Sequence, residues 1–203
     1  QRSQQATPLK HFGLAMHTYH DTARAFPPAA FRDKAGKPLL SWRVHVLPYI
    51  DENDLYKQFK LDEPWDSPHN KKLLAKMPKL YAPVVSSGAD PDVTATYYQV
   101  FSGPNTLFPK PDSRAMFHRI PDGTSNTFLV AECARAVPWS KPEDIEVDAK
   151  TIPKLGGQFE RFLHIAWVDG SVRRIRRGLP DAILRPFIDP ADGLVVDHDK
   201  LKP

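Results

Sequence analysis

Cysteine is almost absent from this 203-residue sequence, which contains only Cys133. A single cysteine excludes an intrachain disulfide and any zinc site built from a cysteine cluster. Long apolar runs are also missing, because none approaches the ~20 residues that a membrane-spanning helix needs. Exported proteins can do without disulfides, so the cysteine content leaves the cellular compartment open.

Glycine is scarce and proline is abundant, with 10 glycines against 21 prolines. Each proline fixes φ and removes a backbone donor, which predicts short helices and strands separated by long proline-rich loops. The sequence contains no glycine-rich phosphate loop, no dinucleotide fingerprint and no Gly-x-Ser-x-Gly nucleophile motif. We therefore predict that the protein has no catalytic residues and no cofactor and is not an enzyme.

Neither sign of charge is in large excess. There are 28 lysines and arginines against 24 acidic residues, which gives a net charge of +4 and an isoelectric point near 9.1. Such a surface suits weak attraction to anionic polymers but falls short of a nucleic-acid footprint, so no nucleic-acid partner is predicted. A hydrophobic content of 41% is enough for one well-buried core.

The first 25 residues carry the clearest helical pattern. Four apolar side chains recur at helical spacing: Leu9, Phe12, Met16 and Tyr19. They predict a helix over residues 3–23 whose apolar stripe is buried against a sheet. Pro8 is expected to break or delay its first turn, and the Phe-Pro-Pro segment at 26–28 ends it.

Two further segments favour helical turns. Residues 39–50 fit either a strand or a short helix, and the Pro48-Tyr49 continuation favours a helical turn. Asp66 and Ser67 are suited to cap a helix through residues 71–74.

Strand signals lie later in the chain. Residues 94–101 are β-branched and aromatic, residues 127–131 form a short apolar run, and residues 158–175 place two runs around Asp169-Gly170 as a hairpin. A short helix over residues 180–188 and a polar tail follow. Helices early and strands late predict an α+β fold with an antiparallel sheet.

Two short segments carry turn chemistry with structural roles. The first contains Asp122, Gly123, Ser125 and Asn126, and the second is Asp169-Gly170. Their glycines permit positive φ, and their polar side chains can accept from free backbone amides.

Three sets of residues have the composition of a metal or thiol site, and each has a plainer reading that we favour. His17, His20 and Asp21 could hold a metal or form a solvated helix face. Cys133 could be a nucleophile or core packing. Loop oxygens of Asp90, Asp92, Asp122 and Asn126 suit calcium, but they lack EF-hand spacing and are expected to bond their own turns. No metal site is predicted.

The densest basic run is Arg173-Arg174-Ile175-Arg176-Arg177. On a strand its arginines alternate between faces and do not form a single charged stripe. A contact with phosphate or an acidic glycan is one reading, and the favoured reading is an edge strand protected by charge.

The tryptophans provide the only candidate binding residues: Trp42, Trp65, Trp139 and Trp167. Exposed aromatic rings could bind a carbohydrate or another solute. The competing expectation is core packing for at least two of the four.

Ordered blocks across nearly the whole chain resemble a family of unknown function known chiefly from planctomycetes. The early blocks are LKHFGLAMHTYHDT at 9–22, FPP at 26–28, SWRV at 41–44, LPY at 47–49 and LDEPWDSPHN at 61–70. The later blocks are DGTSNT at 122–127, VPWSKPED at 137–144 and DGSVR at 169–173. Members look like type II secretion pseudopilins with a prepilin-type N-terminal methylation segment, and the family also carries a solute-binding-like label.

The resemblance implies a truncated pilin-like helix over residues 1–25 and a globular body over residues 26–203. It also implies a membrane-inserting half of the helix ahead of residue 1, and an extracytoplasmic protein that assembles with envelope or pilus-like proteins. The alternative function is a module that binds a glycan or a small solute at the cell surface. Without the membrane-inserting half, we expect a monomer or weak dimer.

Three positions depart from the family pattern. Thr7 and Pro8 stand where members often have two asparagines, Phe159 stands where many have a histidine, and Arg174 stands at a usually apolar position. Any role of that histidine is therefore not shared by this protein. The family supplies no catalytic residues to carry over.

Overall fold

The computed structural model describes residues 2–82, 94–110, 113–156 and 161–203, with side chains from Pro8 onward. Its longest helix, α1, spans Arg2–Ala23. The short helices are α2 (Trp42–His45), α3 (Asn53–Tyr56) and α4 (Asp181–Ile188). The strands are β1 (Ala30–Arg32), β2 (Pro38–Ser41), β3 (Ala95–Ser102), β4 (Phe128–Pro138), β5 (Ile145–Glu146), β6 (Phe162–Trp167) and β7 (Val172–Arg176).

Helix α1 is held by its apolar stripe. Leu9, Phe12 and Met16 are fully buried, whereas Tyr19 is half-buried with its ring 5.8 Å from that of Tyr49. Pro8 lies inside the helix and does not break it, so that expectation was wrong. A proline removes one backbone hydrogen bond, and its fixed φ is compatible with a helix whose stripe is packed against a sheet.

Five strands form the main sheet in the order β5-β3-β4-β6-β7, and β1 pairs with β2 in a separate ribbon. The pairs β3–β4, β4–β6 and β6–β7 are antiparallel, and the short β5 runs parallel to β3. The predicted α+β class with a helix on an antiparallel sheet is confirmed.

The two faces of the sheet carry separate apolar clusters. The first lies under α1 and contains Phe12, Met16, Tyr98, Val100 and Val130. The second lies under α4 and contains Leu163, Ile165, Trp167, Ile175 and Phe187. The alternation of side chains along each strand places these sets on opposite faces.

Several boundaries differ from the sequence prediction. Residues 39–50 begin in β2 and turn helical only at Trp42. The helix predicted near residues 71–74 is a 3-10 helix over Asn70–Lys76. Strand β4 continues well beyond residue 131 because β3 pairs with its second half across a bulge. The polar tail includes a helical turn, His198–Leu201, which buries Leu201.

The predicted hairpin around Asp169-Gly170 is confirmed by β6 and β7, although residues 158–160 of the predicted segment lie outside the described residues. No helix among the described residues is long and apolar enough to span a membrane.

Candidate functional site

The tryptophans do not converge on an open cleft. Trp42, Trp139 and Trp167 are fully buried, as the core-packing alternative expected. Trp42 and Trp139 belong to the cluster under α1, and Trp167 belongs to the cluster under α4. Only Trp65 is half-buried, with the Lys141 ammonium 5.6 Å from its ring centroid. A stacking platform built from the other three rings is therefore not available on the surface.

A buried arginine, which the sequence analysis did not single out, organises the region around Trp42 and Trp139. The Arg43 side chain is fully buried and donates to Asp144 Oδ1 at 2.8 Å. It also donates to four backbone oxygens, those of Tyr98, Trp139, Lys141 and Glu143, at 2.8–3.0 Å. Every donor direction of a planar guanidinium is thus used within the protein.

Asp144 is surrounded by donors as well. Its Oδ1 accepts from Trp42 Nε1 at 3.1 Å and from the Val100 amide at 3.0 Å. Burial raises the pKa of Asp144, while Arg43 and these donors lower it. The Tyr81 hydroxyl donates to the Arg43 carbonyl at 2.7 Å, which extends the network to the chain before β3. These contacts join the blocks at 41–44 and 137–144, and their role is to hold the fold together.

The two predicted turn segments lie side by side. The Asp169 amide donates to the Thr124 carbonyl at 3.0 Å, and the Val168 amide donates to the Thr127 carbonyl at 2.9 Å. Within the first turn, Asn126 Nδ2 donates to the Asp122 carbonyl at 2.8 Å. Gly123 has a φ of 99°, which favours glycine at that position.

Helix α1 packs against the Asp169-Gly170 turn. Gly170 has a φ of 81°, and Ser171 donates its amide to Asp169 Oδ1 at 2.8 Å. A Cβ added to Gly13 of α1 would lie 3.7 Å from Gly170 Cα, so the helix passes close to the turn. His17 Nε2 donates to the Val168 carbonyl at 2.7 Å beside it.

A polar chain connects these turns to the C-terminal tail. Arg173 donates to Asp169 Oδ2 at 3.2 Å and to His198 Nδ1 at 3.1 Å, and its guanidinium lies 4.4 Å from the Trp167 centroid. An arginine can only donate, so His198 Nδ1 accepts and Nε2–H donates to Asn126 Oδ1 at 2.9 Å. Asn126 and Asp169 are thereby brought together. His198 carried no sequence signal, because its partners depend on how the tail folds back.

Glu132 and His164 form a second buried polar pair, on adjacent strands β4 and β6. The His164 amide lies 3.5 Å from Glu132 Oε2, and His164 Nδ1 is buried with no hydrogen-bond partner among the described residues. Burial raises the pKa of Glu132 to about 7 and lowers the pKa of His164. Desolvation of the charged form drives both shifts.

Other contacts are made by five of the residues considered for metal or thiol chemistry: His17, His20, Asp122, Asn126 and Cys133. Among the described residues, no group of three or more His, Cys, Asp or Glu side chains is placed to hold a metal. His20 packs its ring 4.4 Å from that of Phe117, and Cys133 is buried with its pKa raised by desolvation. Asp90 and Asp92 lie outside the described residues.

The arginine run lies in β7 at the edge of the sheet, as the favoured reading expected, except for Arg177, which follows the strand. Arg174 and Arg176 are exposed, and the Arg174 guanidinium lies 5.3 Å from the Phe162 ring centroid. Phe159, at the departure from the family pattern, lies outside the described residues.

A family model described as "Protein of unknown function (DUF1559)", with the short name SBP_bac_10, matches residues 2–115. The chain belongs to this family. The matched region contains α1, Arg43 and Trp65, whereas Asp144 and the Asp169-Gly170 turn lie beyond it. No curated protein and no solved structure matches the chain significantly. The family name is of the solute-binding kind and establishes no specific function.

Proposed function

We propose that this protein is a non-catalytic, pilin-like domain of the cell envelope and that α1 is its assembly element. The observation that carries the proposal is the placement of α1 on the sheet. Its inner stripe is buried against β4, β6 and β7, while Leu14 on the outward face is 65% exposed. A helix held this way presents one continuous side to a neighbouring molecule.

The outward face of α1 has the spacing that helix-to-helix contacts use. Lys10, Leu14 and Thr18 follow one another at four-residue intervals, and all three are exposed. Residues four apart lie on the same side of a helix. A leucine in the middle of such a polar stripe can provide the apolar centre of a contact with a second helix.

The use of the polar side chains supports a non-catalytic role. Arg43 and Asp144 are occupied by each other and by backbone groups, and His17 holds the 168–170 turn. Cys133 is buried with a raised pKa, which keeps its thiol protonated and unreactive. Arg43, Asp144 and His17 are thus used to hold α1 and the loops on the sheet.

The family resemblance supports the place of assembly. It implies a prepilin-type segment that extends α1 into the membrane, an extracytoplasmic body, and partners that are envelope or pilus-like assembly proteins. In this proposal the 203-residue body makes weak contacts alone, because pilin-type assembly draws much of its contact area from the membrane-inserting helix.

The experiment places a photo-crosslinking amino acid at Leu14 or, as the matched control, at Val195 in the protein expressed from its own gene. Val195 is fully exposed and lies in the C-terminal tail, outside α1. We expect the protein in the envelope fraction, with a discrete cross-linked band from position 14 and none from position 195. A cytosolic protein, or equal cross-linking from both positions, contradicts the proposal.

A further inference from the structure

A cavity of about 200 Å³ lies where the far ends of β6 and β7 meet the start of α4 and the loop at 151–156. It lies on the α4 face of the sheet and is separate from α1 and its outward face. The inference drawn from it therefore stands independently of the assembly role.

The walls of the cavity are apolar and come from four different segments of the chain. They consist of six buried side chains: Ile152, Leu155, Leu163, Ile175, Leu179 and Leu184. Among the described residues that line the cavity, none has a hydroxyl or amide side chain that could hold water in place. Apolar walls of this kind favour the burial of an apolar group.

The mouth of the cavity is positively charged. Among the described residues that line it, Lys154, Arg176 and Arg177 are basic and Asp181 is the one acid. The Asp181 carboxylate already accepts from the Ile152 amide at 2.8 Å and lies 3.9 Å from the Arg185 guanidinium. Lys154 is exposed, and Arg177 passes over Gly156, where a Cβ would lie 2.6 Å from its Nε. The electrostatic environment at the mouth therefore favours an anion.

We propose that this cavity binds a small monocarboxylate whose body is an aromatic ring or a short aliphatic chain. An apolar cavity of about 150 Å³ accommodates benzene. The present cavity, at about 200 Å³, takes a ring of that size and leaves its carboxylate at the basic mouth. The apolar body supplies burial, and Lys154 supplies a charge-assisted contact with the carboxylate.

The test measures the binding of benzoate, and of benzyl alcohol as its neutral counterpart, by methyl NMR of the 203-residue protein. We expect saturable benzoate shifts at the methyl groups of Leu163, Ile175 and Leu184. We also expect benzyl alcohol to bind about fivefold more weakly, because a neutral hydroxyl gains less from a cation than a carboxylate does. Absence of saturable shifts, equal affinities, or shifts centred on other methyl groups would overturn the proposal.

Variants of two exposed lysines in the same loop separate a specific contact from general charge. Lys154→Gln removes a cation from the mouth, and Lys150→Gln removes one that does not line the cavity. We expect Lys154→Gln to weaken benzoate binding about threefold without changing benzyl alcohol binding, and Lys150→Gln to change neither. Equal losses in both variants refute the site, since net charge alone would then explain the affinity.

Discussion

Removal of the Asp144 carboxylate is expected to destabilise the fold more than any surface charge change. Asp144→Ala leaves the fully buried Arg43 cation without its counter-ion. It also leaves the Trp42 indole N–H and the Val100 amide without their acceptor. Breaking a buried pair from one side costs about 3–5 kcal/mol. Four backbone oxygens still accept from Arg43 in this variant. We therefore expect the free energy of unfolding to fall by about 4 kcal/mol, which is below the upper end of that range.

The assay is urea denaturation combined with thermal melting of the 203-residue protein. At roughly 2–4 °C per kcal/mol for a chain of this size, the melting temperature should fall by about 8–16 °C. Asp144→Asn keeps one oxygen acceptor and should cost about half as much. Glu63→Gln is the control, because the Lys60–Glu63 pair is partly exposed and should leave the denaturation midpoint unchanged.

The double variant Arg43→Met/Asp144→Leu tests whether the pair or the backbone contacts matter more. Replacing a buried ion pair by apolar side chains is often neutral. Here the four oxygens that accept from Arg43 would lose their donor, so the double variant should remain clearly destabilised. A loss below about 1 kcal/mol in Asp144→Ala would refute the reasoning, since the network would then contribute no net stability.

Three further changes have defined outcomes. Gly170→Val forces a β-branched residue to a φ of 81° and should lower the free energy of unfolding by about 1–3 kcal/mol in urea denaturation, whereas Gly13→Ala should be tolerated. Asn70→Ala removes an amide whose Nδ2 lies 2.9–3.1 Å from the backbone oxygens of Lys60, Glu63 and Pro64 and whose Oδ1 accepts from the Lys60 amide. We expect the free energy of unfolding to fall by about 2–4 kcal/mol, and an unchanged denaturation midpoint would contradict this structural role. Burial raises the pKa of Glu132 to about 7, so the native state keeps a proton that the unfolded chain releases above its ordinary pKa. The free energy of unfolding should therefore fall as the pH rises from 4.5, the ordinary pKa of a glutamate, to about 7, by up to about 1.4 kcal/mol per pH unit. Urea denaturation of Glu132→Gln at several pH values should show a weaker dependence of this free energy on pH.

The sequence predicted those helices and strands that depend on local residue patterns. The α1 stripe of Leu9, Phe12 and Met16 and the hairpin around Gly170 each depend on spacing within a few residues. Pro8 was misjudged because the cost of one missing hydrogen bond is local, whereas the packing that outweighs it comes from the sheet. The length of β4 was underestimated for the same reason, since its second half is a strand only because β3 lies beside it.

The buried polar contacts were not predictable from one sequence. Arg43 and Asp144 are 101 positions apart, and Glu132 and His164 are 32 apart. Taken alone, each of these four residues is of a type that is common at the protein surface. The strand order, which places β4 beside β6, brings Glu132 and His164 together. Arg43 in α2 reaches Asp144 only because β5, which Asp144 immediately precedes, pairs with β3. The tryptophans were ambiguous because an exposed platform and a packed core use the same residue type.

Several contacts cross the boundary between the region that the family model matches and the rest of the chain. The family match ends at residue 115, yet Arg43 within it needs Asp144, and His17 within it donates to Val168. Blocks in the matched half are therefore completed by blocks in the other half, so each depends on the other for its conformation. A set of mutually dependent contacts of this kind preserves a fold and does not specify a ligand. The function is then to be sought at exposed positions between the blocks, such as Leu14 on α1 and Lys154 at the mouth of the cavity.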